Sequence, residues 1–153
     1  SLLVAIMAQV KTLAGRFGLL LLLITSVGMA IAGIFPTDPI TTGRDAMTPN
    51  GKLHELGAML DLMPFAAPLI SWSLARHNPG WLSARRALAW TAGLPLLGLI
   101  VFMASVTFML PSDGNFGPDV LVGWPNRMLI LTYCIWMVTI AWQANNLHRQ
   151  PAY

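Results

Sequence analysis

The chain has 153 residues, of which 56% are hydrophobic and only 10% charged, and its mean hydropathy is +0.64. Soluble domains carry about 25% charged residues, so this composition excludes an ordinary soluble domain and points to a chain dissolved in lipid. The net charge of +3 does not read as nucleic-acid binding, because the basic residues are dispersed over short loops. The one cysteine, Cys134, allows no intrachain disulfide and no thiolate-built zinc or iron–sulfur site.

Residues 1–14 favour a helix but fall short of the roughly 20 residues needed to cross a bilayer, so they read as the last part of a span. The apolar run is already under way at Ser1, with no basic region before it and no small-residue cleavage pattern after it. That argues against a signal peptide and for a processed or truncated N-terminus. Lys11, Gly15 and Arg16 make a short basic turn. Residues 17–35 then give the first complete span, with Gly28 and Ala32 on a small-residue face that would let a neighbouring helix approach.

The stretch Gly33-Ile34-Phe35-Pro36-Thr37-Asp38-Pro39 ends this span abruptly and opens the first polar cluster. Prolines 36, 39 and 49 keep the following loop irregular and outside the hydrocarbon. A second span is expected over residues 53–75. It contains Gly57, carries Asp61 about two turns in, and has Pro64 and Pro68 one turn apart. Each proline removes a backbone donor and frees the carbonyl four residues back, so a kink is expected there. Arg76, His77, Arg85 and Arg86 form a second basic loop, and residues 87–110 make the third span, interrupted by Gly93, Pro95 and Gly98. A turn-rich acidic loop with Asp113 and Asp119 precedes the last span, residues 125–143, and a polar tail with His148 and Arg149.

The expected fold is therefore one all-α transmembrane bundle over residues 1–153, with four full spans and a leading partial span that imply a six-span parent. Basic loops fall on one side and acidic loops on the other, so the positive-inside rule predicts a bacterial inner-membrane protein. Its C-terminus would be cytoplasmic and loops 36–52 and 111–126 periplasmic or external. Trp72, Trp81, Trp90, Trp124 and Trp142 sit near the expected span ends, as in an interfacial aromatic belt.

The span ending in Gly-Ile-Phe-Pro-Thr-Asp-Pro, the helix opening with His54, and the last span introduced by Gly123-Trp124-Pro125-Asn126-Arg127 together resemble a known family. This is domain of unknown function 998, six-span bacterial and archaeal membrane proteins more distantly similar to Frag1/DRAM-type proteins. The resemblance covers essentially the whole chain. It implies the fold and the position of the polar cluster, and no reaction.

Asp38, His54, Asp61 and Arg127 are the candidate polar cluster, all four expected at or just below the outer surface. His54 and Asp61, seven residues apart, would share a helix face. An ionised carboxylate within a span needs a partner, and Arg127 is the one the sequence offers Asp61. Such a cluster can be structural, with an Asp61–Arg127 ion pair and His54 bonding the Phe35-Pro36 loop. That is the favoured reading; the alternative is a small site for a lipid headgroup, quinone or proton.

Two candidate ligands are too few for a metal centre, and no haem-attachment, Walker, nucleophile-elbow or zinc-protease motif is present. No catalytic residue, metal or cofactor is predicted, although a bound lipid is compatible with the cluster. The sparse chemistry beside small-residue faces at Gly28, Ala32, Gly57, Gly93 and Gly98 favours a non-enzymatic accessory or scaffolding subunit. Its expected partners are lipids and other integral membrane proteins or its own copies. A lipid-binding, lipid-sensing or lipid-remodelling protein is the alternative, and a small transporter a second.

Overall fold

The computed structural model describes residues 6–39, 41–109 and 123–149. The acidic-loop expectation for Asp113 and Asp119 lies outside them. The elements are α1 (Leu13–Ile34), α2 (Pro49–Met59), α3 (Met63–His77), α4 (Arg85–Met109) and α5 (Gly123–Arg149). Short 3-10 turns occupy Arg44–Ala46 and Pro79–Ala84, and no strand occurs among the described residues.

Local chemistry sets the helix ends. Thr12, in extended conformation, caps α1 by accepting a hydrogen bond from the Gly15 N–H. α1 stops where Pro36 drives Phe35 out of the helical region, to φ −96° and ψ 121°. Thr48 caps α2 in the same manner through the Gly51 N–H, with Pro49 in the first turn, where its missing donor costs nothing.

The second membrane crossing departs from the expected kinked helix. It is two helices, α2 and α3, separated by Leu60, Asp61 and Leu62. The physical cause is Pro64: an unbroken helix would need an N–H at that position for the Leu60 carbonyl and would press the proline ring against it. Breaking the chain at Leu60 places Pro64 in the first turn of α3 instead. The helix then continues through Pro68, with Pro64 and Ile70 fully buried.

Four helices or helix pairs are long and apolar enough to cross a membrane: Leu13–Ile34, Pro49–His77, Pro79–Met109 and Gly123–Leu147. They run antiparallel in sequence order. α1 packs on α2 and α3, α3 on α4, and α4 on α5, with a light contact from α5 back to α3. The core follows this row, from Ile6, Leu22, Ile70 and Leu74 to Trp81, Leu88, Trp136 and Ile140. α1 touches neither α4 nor α5, so the row leaves broad outward faces. Phe17, Leu20, Leu23 and Val27 on α1 and Leu97, Ile100 and Phe108 on α4 are exposed.

Three of the five predicted helix-packing residues, Gly28, Ala32 and Gly57, meet across α1 and α2. A Cβ on Gly28 would lie 2.5 Å from the Gly57 carbonyl oxygen, and one on Gly57 would lie 2.6 Å from the Gly28 oxygen, with the Ala32 backbone N at 2.7 Å. Ala32 belongs to the same contact. Gly98 serves α4 and α5, facing Leu129 and Thr132. Gly93 does not serve packing, because its α position faces open space on the outer side of α4. The faces at Gly28, Gly57 and Gly98 are thus filled by this chain's own helices.

Candidate functional site

The predicted cluster separates into two internal fastenings and one exposed cation. The first lies at the end of the bundle where α1 meets α2. Asp38 accepts the Thr48 N–H through Oδ2 and the Thr48 hydroxyl through Oδ1, both at 2.8 Å. Its carboxylate therefore sits on the N-terminus of α2, where the helix dipole favours an anion. Gly51 is required beneath it, since a Cβ there would overlap the carboxylate. His54 works at the opposite kind of helix end. Its Nδ1 lies 2.8 Å from the Ala32 carbonyl and 3.0 Å from that of Phe35. Both partners are acceptors, which assigns the proton to Nδ1. The ring thus satisfies carbonyls that the end of α1 leaves without helical partners.

The second fastening is the break between α2 and α3. Thr25, which is buried, lies about 18 Å along α1 from Leu13 at 1.5 Å per residue. That is a little past the middle of the 22-residue helix. The Thr25 Oγ1 accepts the Leu62 N–H at 2.9 Å. Asp61 accepts the Met63 N–H through Oδ1 at 3.2 Å and the Tyr133 hydroxyl through Oδ2 at 2.7 Å.

The other freed donors close on neighbouring carbonyls: Leu60 N–H on Gly57, Asp61 N–H on Ala58, and the N–H groups of Phe65 and Ala66 on Leu62. Irregular backbone at membrane depth is tolerated only where its polar groups are satisfied within the protein. Here side chains from α1 and the break itself satisfy them, and Tyr133 ties the break to α5. One turn further along α5, Trp136 donates its Nε1–H to the Ser71 hydroxyl at 2.8 Å. These two bonds hold α5 to the second crossing.

This geometry corrects two expectations. Asp61 pairs with Tyr133, and Arg127 is not its partner. The Arg127 guanidinium lies 5.4 Å from the centre of the Trp124 ring, and the residue is exposed. His54 and Asp61 do not share a helix face, because the helix ends between them. The break that holds Asp61 is fastened to Thr25 of α1 through the Leu62 N–H. No buried side-chain nitrogen or oxygen among the described residues lacks a hydrogen-bond partner. Among the same residues, no three His, Cys, Asp or Glu side chains gather as a metal-ligand group.

Sequence reasoning missed Thr25, Tyr133 and Trp136; Ser71, within a span, is expected to bond backbone or a neighbouring helix, and it accepts from Trp136 of α5. The available signal was chemical: a hydroxyl or indole N–H within a span must find a partner inside the protein. Trp81 also departs from the interfacial belt. It is fully buried and donates to the Gln9 side chain, whereas Trp72, Trp90, Trp124 and Trp142 are exposed.

Four crossings, one of them broken and closed internally by side chains from its neighbours, define a multi-pass helical membrane protein. The chain belongs to the family described as "Protein of unknown function (DUF998)", which matches residues 1–143. No curated protein and no solved structure matches the chain.

Proposed function

We propose that this protein is a non-enzymatic accessory or scaffolding component of its membrane, built to pack against other membrane proteins and lipid. One observation carries this reading: Asp38, His54 and Asp61 are each engaged in bonds to the chain's own backbone or to Thr48 and Tyr133. The groups that could have handled a substrate hold helix ends instead. The outward surfaces of α1, α4 and α5 are apolar, with large side chains such as Leu20, Ile100 and Val138 exposed. In a membrane, such surfaces associate by packing with helices and lipid chains. Since this chain's own helices fill the close-approach faces at Gly28, Gly57 and Gly98, a partner would lie against the outer faces of the row.

The test is native mass spectrometry of the full chain extracted from its own membrane in a mild detergent. The expected spectrum shows a stoichiometric additional protein mass, either a second copy or a different chain. A lone monomer at every concentration would overturn the reading.

A lipid-binding function is the second reading, favoured by a cleft of about 170 Å³ between α4 and α5. It is lined almost wholly by apolar side chains, among them Leu94, Leu97, Val101, Pro125 and Met128, a chemistry suited to an acyl chain. The same spectra distinguish the readings, since a defined lipid mass on a lone chain supports the second.

A further inference from the structure

The four acidic residues among the described ones avoid one end of this bundle. Asp38, Asp45 and Glu55 belong to the end where α1 meets α2, Asp61 lies in the helix break, and Asp113 and Asp119 fall in sequence between α4 and α5. The opposite end carries Lys11 and Arg16 at the start of α1, Arg76 and His77 at the end of α3, and Arg85 and Arg86 at the start of α4. All six of these side chains are exposed. The Thr12 hydroxyl donates to Ser73 Oγ at 2.8 Å, which brings the start of α1 to the end of α3. The cations therefore share one end, and no carboxylate of the described residues neutralises them there.

The turn that carries four of these groups is fixed. Trp81, fully buried at its centre, donates to Gln9. Gln143 of α5 donates to the Gly80 carbonyl and to the Ser83 hydroxyl, both at 3.3 Å. Asn78 closes the entrance by accepting the Gly80 N–H at 3.2 Å. Arg76 is braced 5.8 Å from the centre of the Trp72 ring, whose other neighbour is the edge-on His77 ring at 5.3 Å. Beside these cations stand exposed apolar groups, Trp72, Leu82 and Trp90. Positive groups held in place next to aliphatic and indole surface match a phosphate joined to hydrocarbon, and a soluble acidic partner would leave that surface uncovered.

We infer that the rigid basic turn between α3 and α4, with the start of α1 beside it, is a binding surface for anionic phospholipid headgroups. Arg76, Arg85 and Arg86 contact the phosphates, and Trp72, Leu82 and Trp90 lie along the upper acyl chains. A basic side chain near an anionic leaflet contributes about 1 kcal/mol, which is about fivefold in affinity per cation.

The full chain, reconstituted in nanodiscs of equal phosphatidylglycerol and phosphatidylcholine, is released into native mass spectrometry and the retained lipids are counted. Wild type should retain phosphatidylglycerol over phosphatidylcholine. The triple variant Arg76→Gln/Arg85→Gln/Arg86→Gln should lower that preference on the order of a hundredfold. The corresponding triple substitution by lysine should keep most of it, which separates lost charge from lost folding. Arg127→Gln, at the other end of the bundle, should leave it unchanged. Equal retention of the two lipids by wild type would overturn the inference, as would a preference unaffected by the triple glutamine variant. Complete displacement of the phosphatidylglycerol by millimolar inorganic phosphate would likewise overturn it, by showing a site for free anion.

Discussion

Gly57→Leu should separate α1 from α2 and destabilise the protein by about 3 kcal/mol or more, at the upper end of what overpacking costs. The reason is the nature of the neighbours. A Cβ at position 57 meets the Gly28 oxygen at 2.6 Å and the Ala32 nitrogen at 2.7 Å. These are backbone atoms of a helix and have no alternative rotamer, so the whole of α1 must move. Moving α1 withdraws Thr25 from the Leu62 N–H and strips the carbonyls of Ala32 and Phe35 from His54. The local clash therefore spreads to both fastenings. In thermal unfolding in a mild detergent, the apparent melting temperature should fall on the order of 10 °C. Gly93→Leu, where the space is open, should shift it little. Equal shifts for the two variants would show that helix propensity, and not close approach, controls position 57.

Trp136→Ala should be of similar size, about 3–5 kcal/mol. Trp136 is fully buried on the face of α5 directed at the second crossing, and its Nε1–H bonds Ser71. Removing the indole leaves a cavity in the core cluster and deprives the Ser71 hydroxyl of its donor. Trp136→Phe separates the two contributions. It restores most of the volume and loses only the hydrogen bond, and such bonds within membranes average about 0.6 kcal/mol. Thermal unfolding of the pair should show alanine much worse than phenylalanine. If the two were equally destabilised, the hydrogen bond and not the packing would be the dominant contribution.

Much of the architecture was legible because hydropathy and proline obey local rules. The end of α1 at Phe35-Pro36 and the small residues Gly28, Ala32 and Gly98 follow from short stretches of sequence. The helix break was legible in part. The rule that a proline frees the carbonyl four residues back points from Pro64 to Leu60, the residue that follows the end of α2 at Met59. What local rules do not reveal is whether the chain bends through the defect or opens, since that depends on partners distant in sequence. Here Thr25 on α1 supplies the acceptor that lets Leu62 leave the helix.

The same long-range dependence explains the mistaken partner for Asp61. Charge complementarity singles out Arg127, but the placement of α5 against the break brings Tyr133 to the carboxylate and leaves Arg127 over Trp124. Asp38 and His54 were recognisable as polar residues beside a helix boundary. The bond expected from His54 to the Phe35-Pro36 loop is present at the Phe35 carbonyl, whereas the engagement of Asp38 with Thr48 and of His54 with Ala32 depends on how the loop folds back, which composition does not encode.

The claim that these polar groups fasten the chain to itself is tested most directly by a double-mutant cycle between Asp61→Ala and Tyr133→Phe, read as reversible unfolding of the reconstituted protein. The hydrogen bond between them predicts a coupling of about 0.6 kcal/mol, and no more than about 1.7, as for hydrogen bonds between other membrane helices. The double variant would then be less destabilised than the sum of the singles. Strictly additive effects would contradict the account and return Asp61 to the role of a residue awaiting a ligand.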